Sequence, residues 1–195
     1  VARWQPNAGE RLERAALELF GERGYDATAV TEIAARAGLT KSTFFRHYAD
    51  KREVLFGGDD RLAEQFGAAI RQAPPDASPL ACLGAALRAC EATFPMDRHD
   101  LAPLRYAVIA AHPELHERQL LKRARLAAIV TEALRERGVD DTTARLAAQM
   151  GILAFSTAAS RWSTVDNRRP FADIAAEVLD ELRTRATELG AGTAG

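Results

Sequence analysis

A chain of 195 residues with 47% apolar and 27% charged side chains can bury a core of one domain or two small ones. No run approaches the roughly 18 to 20 apolar residues that span a bilayer, and the opening Val1-Ala2-Arg3-Trp4-Gln5-Pro6 lacks a signal-peptide segment, so a cytoplasmic location without a membrane partner is expected. The net charge of −1 lacks the basic excess typical of a nucleic-acid binder, which makes the local distribution of charge the better test.

Helical periodicity recurs along the chain and no segment alternates with period 2, so the fold class is read as all-α, with about nine helices. The first helix is predicted over 8–21, with Leu12, Ala15, Ala16, Leu19 and Phe20 on one stripe and Gly24 as its stop. Thr28 is expected to cap a helix over 29–37 that buries Val30, Ile33 and Ala34 and breaks at Gly38. Thr40 caps a short helix over 41–48, and Asp50 caps a longer one over 51–73, before Pro74-Pro75 forces a loop. Leu80, Leu83, Leu87, Cys90 and Phe94 then repeat at helical spacing. Helices over 101–111, 113–137, 142–165 and 170–189 follow, with Gly138 as a stop and 190–195 as an unstructured tail. Cys82 and Cys90, eight residues apart on one helix, would lie roughly 12 Å from each other, beyond disulfide reach.

Two short helices joined by Gly38-Leu39 fit a helix-turn-helix, because glycine permits the sharp turn and Leu39 plugs the gap between the helices. Val30, Ile33, Ala34, Leu39, Phe44 and Tyr48 would hold it together, leaving Lys41, Ser42, Thr43, Phe45, Arg46 and His47 on or near the outer face of the second helix. Those types suit phosphate, base-edge and thymine-methyl contacts. Between Arg36 and Arg52 five basic residues (Arg36, Lys41, Arg46, Lys51, Arg52) face Asp50 alone, a local charge of +4.

The run Ala15-Ala16-Leu17-Glu18-Leu19-Phe20, then Gly24-Tyr25-Asp26-Ala27-Thr28, then Ile33 through Tyr48, then Lys51 and Leu55, resembles the tetracycline-repressor (TetR) family over about a quarter of the chain. The resemblance implies a dimeric repressor reading two half-sites of double-stranded, palindromic operator DNA. It implies that Thr28 and Lys51 touch phosphates from helix N-termini and that Lys41, Ser42, Thr43 and His47 are recognition-helix contacts. Arg36, Thr40, Phe45 and Arg46 complete the candidate set. Phe45 stands where the family commonly has tyrosine, so no phenolic hydrogen bond to phosphate is available there.

The domain division read here is a DNA-binding part over 1–56, with a linking helix over 51–73, and a remainder over 57–195 that the resemblance makes a ligand-binding and homodimerising bundle. The family pairs its last two long helices with those of a second copy. Ala147, Gly151, Ala154 and Ala158 form a small-residue stripe on one such helix, and Ile174, Val178 and Leu182 an apolar seam on the other. A cavity for a small-molecule effector could be lined by Phe94, Met96, Tyr106, Ile109, Leu126, Met150 and Phe155, with Arg105 or Trp162 as a polar handle. Such a wall suits a flat or lipophilic molecule. Packing inside one chain is the alternative for both sets, and a stripe of aromatics and Met is more often simple core.

His112 and His116 are spaced like metal ligands, but Pro113 fits a first helical position and the helical HExxH pattern is absent, so no metal is expected. No nucleophile elbow, phosphate-binding glycine loop, CxxC pair or dinucleotide fingerprint occurs, which argues against an enzyme and against a cofactor. The leading reading is a regulator whose operator is released when effector binds. The alternative is a ligand-independent dimeric DNA-binding protein.

Overall fold

The computed structural model describes residues 8–57 and 59–191, apart from the side chains of Asp59 and Asp60. Among the described residues there are nine α-helices and no strand: α1 Ala8–Arg23, α2 Val30–Arg36, α3 Lys41–His47, α4 Asp59–Arg71, α5 Pro79–Ala89, α6 Ala102–Ala111, α7 Pro113–Glu136, α8 Asp141–Trp162 and α9 Phe171–Ala191. Of the tail read as unstructured, Gly190 and Ala191 end α9, while 192–195 lie outside the described residues. No described helix is long and apolar enough to cross a membrane.

The described residues form two compact units, the first ending at Gly57 and adding His99–Gln119, the second made of the rest. The reading of 57–195 as one continuous domain therefore misses an excursion of the chain. Leu101, Val108, Ile109 and Leu115 are buried in the same apolar cluster as Leu12, Ala16, Phe20, Ile33 and Phe44, so α6 and the start of α7 complete the core of the first unit.

Within that unit α1 packs against α2, α3 and α6. Gly24, at φ 87°, ends α1 as its sequence suggests. The N-terminus of α2 departs from expectation. Its first cap is Ala29, whose N–H donates to the Glu32 carboxylate at 2.9 Å, while the Thr28 hydroxyl turns inward and donates to the Gly24 carbonyl at 2.8 Å. Thr40 does cap α3, accepting the Thr43 N–H at 3.1 Å.

The expected helix over 51–73 is broken. Asp50 Oδ1 accepts the N–H groups of both Arg52 and Glu53, at 2.8 and 3.1 Å, and starts a 3-10 turn over Arg52–Leu55. Val54, Leu55 and Phe56 are all buried. Three consecutive residues sweep about 200° around an α-helix, so no single helix face could bury all of them, and the chain tightens instead.

In the second unit α5 packs against α4, α8 and α9, and α8 pairs with α9. Ser78 caps α5 ahead of Pro79, Asp140 caps α8, and the Glu91 carboxylate reaches across to accept the Ala172 N–H at the start of α9 at 2.6 Å. Phe66, Phe94, Phe155, Trp162 and Phe171 gather in one aromatic cluster, with Phe94 stacked on Phe171 at 3.9 Å. Cys82 and Cys90 are buried free thiols.

The turn between α2 and α3 depends on a left-handed residue. Gly38 has φ 65°, and beyond it the Leu39 N–H returns to the Ala34 carbonyl at 2.8 Å, closing α2 as a Schellman motif. A Cβ at Gly38 would also stand 2.9 Å from an Arg11 guanidinium nitrogen. We expect Gly38→Ala to lower unfolding free energy by at least about 1–2 kcal/mol, the cost of a left-handed L-residue. Urea denaturation checks this, and an unchanged midpoint would contradict it.

Candidate nucleic-acid interface

The helix-turn-helix comprises α2, the Gly38 turn and α3, and its inner side is apolar. Ile33, Ala34 and Phe44 are buried, with Val30, Leu39 and Tyr48 packed against them, which is the set its spacing suggested. Phe44 has no exposed surface, whereas its neighbour Phe45 is 49% exposed and meets Phe44 edge-on at 5.5 Å. One residue of rotation separates a core side chain from a surface one.

Once Phe44 is buried, helical geometry assigns the outer face. Lys41, Ser42, Phe45, Arg46 and His47 are all exposed there, and Thr43 is half-buried with its hydroxyl 3.0 Å from that of Thr40. Arg46 donates to the Thr43 hydroxyl at 3.3 Å, and the Lys41 ammonium lies 5.9 Å from the Phe45 ring. The face therefore carries two cations, two hydroxyls, an imidazole and an apolar ring, all on one short rigid helix.

Other predicted contacts are engaged elsewhere. Arg36 is clasped by Glu22, with N···O distances of 2.9 and 2.7 Å, and lies 3.5 Å from Glu18, so it ties α2 to α1. The guanidinium holds the Glu22 carboxyl below its ordinary range. Arg52 is paired with Asp50, whose carboxyl is likewise lowered by that hydrogen bond. Thr28 is buried and its hydroxyl donates to the Gly24 and Leu19 carbonyls, so it does not provide the cap expected of that side chain. Lys51 donates to main-chain carbonyls. Of the local +4, Lys41 and Arg46 alone stand on the outer face of α3.

Three contacts hold this element in place, two of them made by arginines that sequence reasoning passed over. Arg11 of α1 donates to the Ala37 carbonyl at the turn. The Tyr48 hydroxyl donates to the Gly9 carbonyl at 3.1 Å, tying the end of α3 to the start of α1. Arg118 of α7 pairs with Glu53 in the 3-10 turn. Arg11 and Arg118 look like ordinary helix-surface arginines in the sequence, and nothing in their local pattern signals a partner 26 or 65 residues away.

The residues proposed for ligand and dimer contact divide. Phe94, Phe155 and Trp162 meet in the aromatic cluster, to which the structure adds Phe66 and Phe171. Leu126 is buried, Met150 half-buried and Met96 exposed. Ile109 belongs to the core of the first unit, and Arg105 and Tyr106 lie in that unit too. Ala147, Gly151, Ala154, Ala158, Ile174 and Val178 are buried by their own chain. A Cβ at Gly151 would stand 2.7 Å from Leu83 of α5, so at this position the stripe admits a neighbouring helix of the same chain. Leu182 is half-buried. His112 ends α6 and His116 lies in α7; the His112 Nδ1 is 2.8 Å from the Val108 carbonyl. Among the described residues no group of three or more His, Cys, Asp or Glu side chains could hold a metal ion.

A helix-turn-helix whose second helix turns a cationic, hydroxyl-bearing face to solvent defines a DNA-binding transcriptional regulator. The profile of "Bacterial regulatory proteins, tetR family" matches residues 13–56. The chain is 30% identical over 163 residues to the HTH-type transcriptional activator FasR of Mycolicibacterium smegmatis, covering 80% of this chain and 71% of that one. It is 40% identical over 80 residues to the HTH-type transcriptional regulator TcmR of Streptomyces glaucescens, spanning 41% of this chain and only 35% of TcmR. Among solved structures it resembles FadR of Thermus thermophilus, a TetR-family repressor in complex with lauroyl-CoA, at 28% identity and a TM-score of 0.53, over 90% of this chain and 93% of that one. The chain belongs to the TetR family of bacterial regulatory proteins.

Each direct phosphate contact contributes about 0.9 to the slope of log affinity against log salt. Lys41→Ala and Arg46→Ala are each expected to lower that slope by about 0.9, and Arg36→Ala to leave it unchanged because its guanidinium serves Glu22. Fluorescence anisotropy across a salt series checks this. A loss of slope in Arg36→Ala alone would move the interface to α2.

Proposed function

We propose that this chain is a dimeric repressor whose operator is released by a lipophilic effector of the long-chain acyl-CoA kind. The observation that carries the effector class is the likeness to the lauroyl-CoA-bound FadR over nine-tenths of the chain. The cluster of Phe66, Phe94, Phe155, Trp162 and Phe171 supports it, since an acyl chain is recognised by apolar and aromatic walls. In this reading Lys41 and Arg46 grip phosphates, Ser42, Thr43 and His47 address base edges, and Phe45 meets a thymine methyl, with Thr40 fixing the start of α3.

The dimer face is proposed on residues other than the small stripe. Leu146 and Leu153 of α8 are 63% and 51% exposed, and with the half-buried Met150 they follow the 4-3 spacing of one helix edge. On α9 the half-buried Leu179 and Leu182 continue to the exposed Leu189. Leucines left in water at this spacing mark a helix-packing surface without its partner. We expect Leu146→Asp with Leu153→Asp to give a monomer in sedimentation velocity and to weaken operator binding. A dimer that survives both substitutions would place the interface elsewhere.

Release requires that effector bind the free form more tightly than the DNA-bound form, by about 5.5 kcal/mol to swing occupancy from 99:1 to 1:99. With an operator selected from random duplexes, lauroyl-CoA is expected to lower affinity while free CoA does not. Unchanged affinity at saturating lauroyl-CoA would remove the acyl-CoA reading. The likeness to the activator FasR favours a second reading of the transcriptional sign. In vitro transcription from a promoter carrying that operator decides between them: the repressor reading predicts less transcript, the activator reading more.

A further inference from the structure

Lys51 follows the end of α3 by four residues, yet its side chain reaches back to the turn that precedes α2. The ammonium donates to the carbonyl oxygens of Tyr25 at 2.7 Å, Thr28 at 3.1 Å and Asp26 at 3.4 Å, and sits 4.2 Å from the centroid of the Tyr25 ring. A lysine ammonium has three N–H donors and no more. Three converging carbonyl dipoles and an aromatic face satisfy all of them, and the ring adds a cation–π attraction.

The same turn is fixed on its other sides. The Thr28 hydroxyl donates to Gly24, the Tyr25 ring packs edge-on against Phe20, and the His112 ring lies 4.9 Å from that of Tyr25. Burial pushes the Tyr25 phenol up to about 12, with the nearby Asp50 charge adding to the effect. Between the two ends joined by Lys51 lies the whole reading element, α2, the Gly38 turn and α3.

We propose that Lys51 is a positioning residue that straps this loop shut and thereby orients α3, and that it is not a phosphate contact. The inference rests on α3 being the reading helix. It differs from the role that resemblance to the family implies, because the donors a phosphate would need are already committed to the chain. Arginine cannot substitute: its planar fork does not aim three donors at oxygens gathered around one point.

The test compares the full chain with Lys51→Met, Lys51→Arg and Lys41→Ala on operator and random duplexes across a salt series, with circular dichroism monitoring the folded fraction. The strap predicts that both Lys51 variants stay folded and lose about tenfold on operator, the worth of one base-edge contact, while random-duplex binding changes by less than about twofold. The salt slope of Lys51→Met should shift by less than half of the 0.9 or so that one phosphate contributes. Equal losses on both duplexes, a slope lower by about 0.9 and rescue by Lys51→Arg would overturn the strap in favour of a phosphate contact. Losses that track a reduced folded fraction would overturn it in favour of a role in stability alone. Lys41→Ala reports on the reading helix itself. If it leaves the slope unchanged, α3 is not the DNA face and the strap falls with it.

Discussion

The left-handed turn at Gly38 sets the geometry on which the DNA-reading unit depends. With φ at 65° the chain leaves α2 through a closed Schellman bond and enters α3 under the Thr40 cap. Arg11 holds the Ala37 carbonyl from α1. This fixes which side of α3 faces the core, and burying Phe44 there makes the choice costly to reverse, since removing a fully buried phenylalanine side chain costs about 3–5 kcal/mol. Each residue of register error would turn the helix face by about 100° and send Phe45 inward in place of Phe44. The composition of the outer face follows from a constraint on the inner one.

Charge is distributed by the same logic. A net charge of −1 says nothing about DNA, and the local +4 overstates what is offered to it. Acidic partners on α1 and in the turn after α3 absorb Arg36 and Arg52, and main-chain oxygens absorb Lys51. The pairs are exposed and contribute little stability by themselves. Their effect is spatial: positive charge remains on α3, where Arg46 meets the Thr43 hydroxyl and Lys41 the ring of Phe45.

Most of the helices and the helix-turn-helix were legible in the sequence because they depend on local rules. Gly24, Gly38 and Gly138 stop helices, and Thr40 starts one. What was not legible depends on contacts distant in sequence. The break after Asp50 arises because Val54, Leu55 and Phe56 are all drawn into one core. The return of His99–Gln119 to the first unit is written only in which cluster Leu101, Val108, Ile109 and Leu115 join. The stripe of Ala147, Gly151, Ala154 and Ala158 was read as part of a dimer face, because periodicity cannot say whether an approaching helix belongs to the same chain. Leu83 of α5 gives the answer at Gly151.

The chain has only three lysines, Lys41, Lys51 and Lys122, and they stand in different settings: on the outer face of α3, in the carbonyl strap, and in α7. Trace acetylation of the full chain, read residue by residue by mass spectrometry with and without operator, tests the assignment of the reading face directly. The account predicts that operator protects Lys41 strongly, that Lys51 reacts slowly in both states, and that Lys122 reacts at the same rate in both. Equal labelling of Lys41 on and off the operator would contradict it.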